Sequence, residues 1–378
     1  MEQNLLTSRT WAEINLKSLE KNVEILRTQI SPQTKFLAVV KANAYGHGLT
    51  EIAKKLEECK VDMFGVATVE EAIELRQNQI QTPILVLGQS SPELIDLICD
   101  NEITQTIENF EIAQNFSKFA QNKNKIVKIH IKIDTGMGRL GFYWPEDEES
   151  KQRTAEEIKN ICHFPGLKVE GVFTHFAKAE DKDYSKIQLN NFKEALKYLK
   201  NLGLKFDIIH AAASTAILNY PSAHFDMCRF GLVLYGYEST ENGNKNGKLH
   251  LNPIMTVKSK ISAVRNLPKD SNIGYDCTYI LKKDSKIAVL PIGYGDGFPR
   301  NLSNKAYVKI KGILCPIVGK ICMDMIMVDV SQIDDVNGGD VAVVYDEDLI
   351  TDDAKKSGTI IHEILCGILP RVERVFIN

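Results

Sequence analysis

Between residues 18 and about 235 the chain repeats one pattern eight times: a short apolar run, then a turn or a stretch with helical spacing. The apolar runs fall at 35–40, 63–66, 84–87, 103–106, 127–133, 167–174, 206–210 and 226–229. Near-continuous apolar strands are what a parallel sheet buried on both faces demands, and parallel neighbours need crossover connections. Leu19, Val23, Leu26 and Ile30 mark one helix face ahead of the first run, and Tyr184 to Leu202 is the clearest helix. Eight such strands over roughly 220 residues predict a closed (β/α)8 barrel of the TIM type. A doubly wound open sheet is the alternative. It needs fewer strands and usually a glycine-rich fingerprint after the first, which is absent here.

The polar run from Glu238 to Lys248 breaks this rhythm. It divides the chain into an expected barrel over 1–238 and a mostly-β carboxyl-terminal domain over 239–378. Strands are expected at Ile254 to Val264, Lys286 to Pro291, Ala306 to Ile310, Met325 to Val330 and Val341 to Tyr345, and a helix only around Thr359 to Cys366. A net charge of −3 gives no electrostatic case for nucleic acid or an anionic membrane. The eight cysteines contain no Cys-x-x-Cys pair, so neither a metal site nor a disulfide framework is expected. Met1 to Thr7 lacks the basic-then-apolar pattern of a leader, and no apolar run approaches the roughly 20 residues of a bilayer span. A cytoplasmic protein with reduced thiols is expected.

Residues with chemical capacity gather at the carboxyl ends of the barrel strands, where such barrels place their sites. Lys41 follows the first apolar run and opens Lys41-Ala42-Asn43-Ala44-Tyr45-Gly46-His47-Gly48. Desolvation on one side lowers the pKa of such a lysine and frees its amine as a nucleophile or base, although a lysine at a strand end can also simply reach water. In the run 127–133, Val127, Ile129, Ile131 and Ile133 face the helices, so Lys128, His130 and Lys132 point into the barrel. A lysine buried there needs a charge partner or a chemical modification. Asp134-Thr135-Gly136-Met137-Gly138-Arg139 then turns Arg139 back over the mouth. His175 ends the sixth strand, and Ser214 ends the seventh at a helix start suited to a phosphate. Arg229 closes the eighth, permanently charged and in need of an acceptor, with Gly231 and Leu232 after it. In the second domain Gly274-Tyr275-Asp276-Cys277-Thr278-Tyr279 and Lys320-Ile321-Cys322-Met323-Asp324 stand out, and Gly293-Tyr294-Gly295-Asp296-Gly297 reads as a shaped loop.

These strings together resemble the alanine racemases over nearly the whole chain. The lysine string, Asp-Thr-Gly-Met-Gly-Arg and Gly-Tyr-Gly-Asp-Gly carry the likeness. The resemblance implies a pyridoxal 5′-phosphate barrel followed by a β domain, acting as a head-to-tail homodimer with composite active sites on a small amino-acid substrate. It implies that Lys41 carries the cofactor and is one of two bases, with Tyr275 from the partner subunit as the other. Tyr45, Ser214, Gly231 and Leu232 hold the phosphate, Arg229 faces the pyridine nitrogen, and His175 supports the ring. Arg139 bonds the cofactor phenolate or the substrate carboxylate, Lys132 is carbamylated to orient it, and Met323 touches substrate across the dimer. The implied activity is racemisation of L- and D-alanine, which supplies D-alanine for peptidoglycan.

The physical logic fits. Inversion of a stereocentre requires an acid and a base on opposite faces of one carbon. An arginine opposite the ring nitrogen cannot easily give up a proton, which speaks for racemisation and against a decarboxylase of the same architecture. A non-catalytic cofactor-binding barrel would lack the second domain. Four positions depart from the family pattern: Ala213 stands for a common asparagine, Asp276 for glycine, Lys320 for arginine and Pro370 for a tyrosine. They leave alanine against serine preference open, but not the reaction type.

Overall fold

The computed structural model describes residues 8–238 and 249–378. The polar stretch 239–248 and the first seven residues lie outside this range. Two compact units divide the chain: Leu19–Ala44 with Leu49–Asn252, and Met1–Ser18 with Tyr45–Gly48 and Pro253–Asn378.

The first unit is a closed barrel. Its strands are Lys35–Val39, Met63–Val66, Ile84–Val86, Ile103–Ile107, Val127–Asp134, Leu167–Phe173, Ile208–Ala213 and Met227–Phe230. Every neighbouring pair is parallel, and the eighth strand returns to the first with Met227 beside Lys35 and Phe230 beside Ala38. The seventh strand lies further along the chain than the apolar run 206–210 predicts, because its Ala211-Ala212-Ala213 end also pairs. Helices follow the strands and bury one face each, as with Leu49, Ile52, Ala53 and Leu56 of Leu49–Glu58. Thr68, Asn109, Asp147 and Asp181 each accept a backbone N–H from the first turn of the helix they precede. Each such cap is worth about 1 kcal/mol and fixes where a strand-to-helix loop ends.

One expectation for the fifth strand needs correction. His130 and Lys132 are buried on the inner face, but the Lys128 side chain, at the amino end of the strand, is 41% exposed and reaches Glu102 at 3.9 Å. The inner face opens to water at that end, so the lysine needs no buried partner.

The first strand runs into a left-handed turn. Ala42, Asn43, Ala44 and Tyr45 have φ of 54°, 55°, 51° and 53°, and none is glycine. Such a residue costs roughly 1–2 kcal/mol. The surroundings hold the turn in place. The Glu71 carboxylate accepts the N–H groups of Ala42 (2.6 Å) and Ala67 (2.7 Å), and Asn43 Oδ1 accepts the Leu49 N–H at 2.8 Å.

The second unit is mostly β. Its largest sheet runs Ile313–Pro316, Tyr307–Ile310, Val341–Tyr345, Met255–Lys260, Thr10–Asn15 and Glu373–Ile377. The sequence pattern did not mark Thr10–Asn15 as a strand. It pairs antiparallel with Met255–Lys260 and parallel with Glu373–Ile377, partners remote in sequence. The expected strand at 254–264 is two strands, Met255–Lys260 and Ala263–Leu267, in different sheets. The helix expected near Thr359 is Ile361–Gly367, and a second helix, Glu347–Ser357, precedes it. Asp346 caps that helix and the left-handed Gly358 ends it, signals present in the sequence but hidden by its polar composition. No described helix is long and apolar enough to cross a membrane.

Candidate active site

The barrel unit carries Lys41, Lys132, Arg139, His175, Ser214, Arg229, Gly231 and Leu232 at or just beyond the carboxyl ends of its strands. Tyr45, Tyr275 and Met323 belong to the other unit.

Arg229 makes four hydrogen bonds at the mouth. It is 2% exposed. Its Nη2 lies 2.8 Å from the carbonyls of Thr174 and Ala211 and 3.0 Å from His175 Nδ1, and its Nη1 lies 2.8 Å from His210 Nδ1. A guanidinium only donates, so His210 must accept at Nδ1 and carry its proton on Nε2. That proton is donated to His130 Nδ1 at 2.9 Å, which leaves the His130 proton on Nε2, where no partner lies among the described residues. Gly171 makes room for this ring: a Cβ there would stand 2.6 Å from His130 Cε1. Burial brings Arg229 down to about 10, still charged at neutral pH, with the Cys228 thiol countering and Arg139 adding to the fall.

The same burial keeps all three histidines neutral. It takes His130 down to about 3, with lesser help from Lys35 and Arg229, and takes His175 and His210 well below the ordinary imidazole value. The unfolded chain takes up these protons as pH falls through about 6.5, whereas the folded chain does not. Each histidine therefore removes about 1.4 kcal/mol of stability per pH unit between there and its folded value. We expect the stability of His130→Gln to fall less steeply between pH 6.5 and 5, by that amount per unit. Denaturant melts at several pH values check this, and parallel slopes would mean that His130 is not held neutral.

Positive charge dominates the mouth. Lys41, Lys132, Arg139 and Arg229 all bear on His175, next to burial as causes of its low value. Arg139 is exposed, whereas Lys132 is 4% exposed with its ammonium 5.8 Å from the Phe173 ring centroid. Burial first, then Arg139 and Arg229, bring Lys132 down to about 8. The nearby Asp134 carboxylate is engaged by the N–H groups of Gly136, Met137 and Gly138 at 2.7–2.9 Å, which shapes the turn that carries Arg139. At the ends of the seventh and eighth strands the Gly231 N–H donates to Ser214 Oγ at 3.3 Å, and Leu232 follows. This cationic rim, with a hydroxyl and backbone N–H groups to one side, fits an anionic phosphate cofactor with a carbonyl for Lys41 to engage.

In the other unit Tyr45 is buried against His362, with ring centroids 5.8 Å apart, and burial pushes its phenol up. Tyr275 is 66% exposed beside Asp276 and Cys277, whose φ values are 57° and 51°. Lys320 pairs with Asp276, so two of the departures from the family pattern meet each other. The glycine loop explains Met323. Its Gly295 N–H donates to the Met323 carbonyl at 2.8 Å, and a Cβ on Gly293 would stand 2.4 Å from that oxygen. Buried Asp296 pairs with Arg9 and Arg371, each at 2.7 Å, and Arg371 reaches Asp324 at 2.8 Å.

Sequence reasoning did not single out Glu108 or the role of His210. Glu108 follows the fourth strand and alternates with Thr104 and Thr106, but only the register with the fifth strand shows that this face is the inner one.

Comparison with known proteins follows the same lines. The alanine racemase N-terminal domain family matches residues 14–239 and the alanine racemase C-terminal domain family matches residues 254–376. An alanine racemase of Methanococcus maripaludis is 42% identical over 375 residues, covering 97% of this chain and 98% of its own length. Among solved structures, an alanine racemase of Clostridium difficile 630 superimposes with a TM-score of 0.92 at 38% identity, over 98% of this chain and 96% of its own. An alanine racemase of Bartonella henselae, solved with covalently bound pyridoxal phosphate, gives 0.85 at 29% identity over 98% and 100% of the two chains.

Proposed function

The chain belongs to the alanine racemase family, isomerases that interconvert L- and D-alanine with pyridoxal 5′-phosphate, and we propose that Lys41 and Tyr275 are its two bases. Bound at the barrel mouth, pyridoxal phosphate supplies an electron sink that acidifies the substrate α proton. Lys41 would hold the cofactor covalently, and its amine would move a proton on one face of the α carbon. Tyr275, delivered by a partner subunit in a head-to-tail homodimer, moves a proton on the other. Tyr45, Ser214, Gly231 and Leu232 receive the phosphate, and His175 supports the ring. Arg139 holds the phenolate or the substrate carboxylate, oriented by a carbamate on Lys132, and the Met323 backbone touches substrate from the partner. The barrel, 1–238, and the β domain, 239–378, are then the two halves of a composite site. The reaction serves D-alanine supply for peptidoglycan in the cytoplasm.

One observation carries the choice of racemisation over decarboxylation: Arg229, buried and charged, with its bonds going to two carbonyls and two neutral imidazoles. It stays charged at neutral pH, so it would leave a cofactor ring nitrogen placed against it unprotonated and would favour return of the proton to the α carbon. We expect Arg229→Glu to retain cofactor but to racemise about 10²–10³-fold more slowly, the cost typical of losing one preorganised charge. A long-wavelength absorbance band and more transamination per racemisation should accompany the loss. Spectra and pyruvate release measured beside circular dichroism of alanine check this. Unchanged partitioning would show that Arg229 does not face the ring.

A further inference from the structure

Glu108 is an anomaly of the barrel mouth. It is 5% exposed, and neither carboxylate oxygen has a hydrogen-bond partner among the described residues. An acceptor pair left empty in the interior is costly, so a buried carboxylate without partners points to a group that it serves. The strand register identifies that group. Ile107 of the fourth strand stands beside Ile131 of the fifth, which sets Glu108 level with Lys132 on the inner face. The charge of each residue acts on the other.

We propose that Glu108 is a positioning residue for Lys132: ionised, it holds Lys132 as an ammonium ion, and it takes up a proton when carbon dioxide converts that amine into a carbamate. The proposal rests on the reading of Lys132 as the carbamylated lysine. The groups that face Lys132 are Arg139 beyond its own strand, Arg229 from the eighth, Asp134 beside it and Glu108 from the fourth, and His175 after the sixth feels its charge. Asp134 is committed to backbone N–H groups, so Glu108 is the uncommitted carboxylate of this set. Two desolvated anions cannot share so small a space, and one must hold a proton. Burial raises the Glu108 carboxyl, which suits it to be that one.

The step balances. The ammonium releases one proton to solvent, and the amine nitrogen bonds to the carbon of carbon dioxide while one C=O electron pair moves onto oxygen. The second nitrogen proton passes to Glu108. Two opposite charges on neighbouring strands, of net charge zero, thereby become a carbamate near a neutral acid, and Arg139 gains its anion.

The test follows the carbamate carbon by NMR in the cofactor-loaded enzyme under labelled bicarbonate, with Lys132→Ala to assign the signal. Glu108→Gln keeps the shape but can neither pair as an anion nor accept the proton. It should reach half-saturation at about twofold less carbon dioxide near pH 8, because losing one pKa unit of favourable charge takes a half-neutral amine to an almost fully neutral one. Between about pH 6 and 7 the logarithm of its carbamate equilibrium should rise with a slope near two, against one in the parent, because both protons now go to solvent. Glu108→Asp should restore the parental slope. Equal slopes and half-saturations in parent and Glu108→Gln would overturn the role of Glu108 and leave Lys132 as the carbamate site. No Lys132-dependent signal in either protein at saturating carbon dioxide would overturn the carbamate reading, and this proposal with it.

Discussion

Lys41→Ala is expected to purify without the visible band of lysine-bound cofactor and to racemise alanine at least about 10³–10⁴-fold more slowly. Both the covalent attachment and one of the two proton transfers are then lost, and a single general base alone accounts for about 10²–10⁴. The position supports so large an effect. Lys41 stands between the end of a buried strand and a turn held by Glu71 and Asn43, so nothing else in that segment can offer an amine to the same point. Borohydride reduction of the parent followed by peptide mapping should find the cofactor on Lys41. Recovery of the label on Lys132, the other lysine of the mouth, would reassign the attachment site.

The second large effect belongs to Tyr275→Phe, expected to lose about 10²–10⁴ in the direction that uses its phenol as the base while still binding cofactor. The two variants together test the partner's contribution. Under subunit exchange, Lys41→Ala mixed with Tyr275→Phe should recover roughly a quarter of parental activity. Random exchange makes half the dimers mixed, and each mixed dimer has one intact site and one doubly substituted site. Recovery of nothing, with exchange shown by mass-tagged subunits, would place both bases in one chain.

The barrel was legible in the sequence because its strands are buried on both faces, and the apolar residues therefore come in runs with little else between them. Lys41, His175 and Arg229 were legible for the converse reason: a polar residue closing such a run has few explanations. Thr10–Asn15 was not, since four of its six residues are polar or small and its partners lie more than two hundred positions away. The seventh strand was misjudged at its end because three alanines give no propensity signal. Glu108 escaped notice because it follows Thr104-Gln105-Thr106, a polar strand whose inner face cannot be told from its outer one without the register. The proton arrangement of His210 and His130 was out of reach for a different reason. It follows from which nitrogen of each ring meets Arg229 or its neighbour, and that is geometry alone.

The left-handed turn after the first strand bears on how the enzyme matures. Single residues, asparagine above all, visit this hand in a free peptide, but four in a row cost several kcal/mol, so the segment does not keep this shape before the barrel closes. It is imposed from outside, by a carboxylate of the helix Val69–Gln77 and by the start of the helix Leu49–Glu58. A nascent chain that has made only its first strand and helix therefore has the lysine but not the stance that aims it. If Lys41 carries the cofactor, its capture follows completion of the surrounding architecture, and a half-made chain is spared from sequestering a reactive aldehyde.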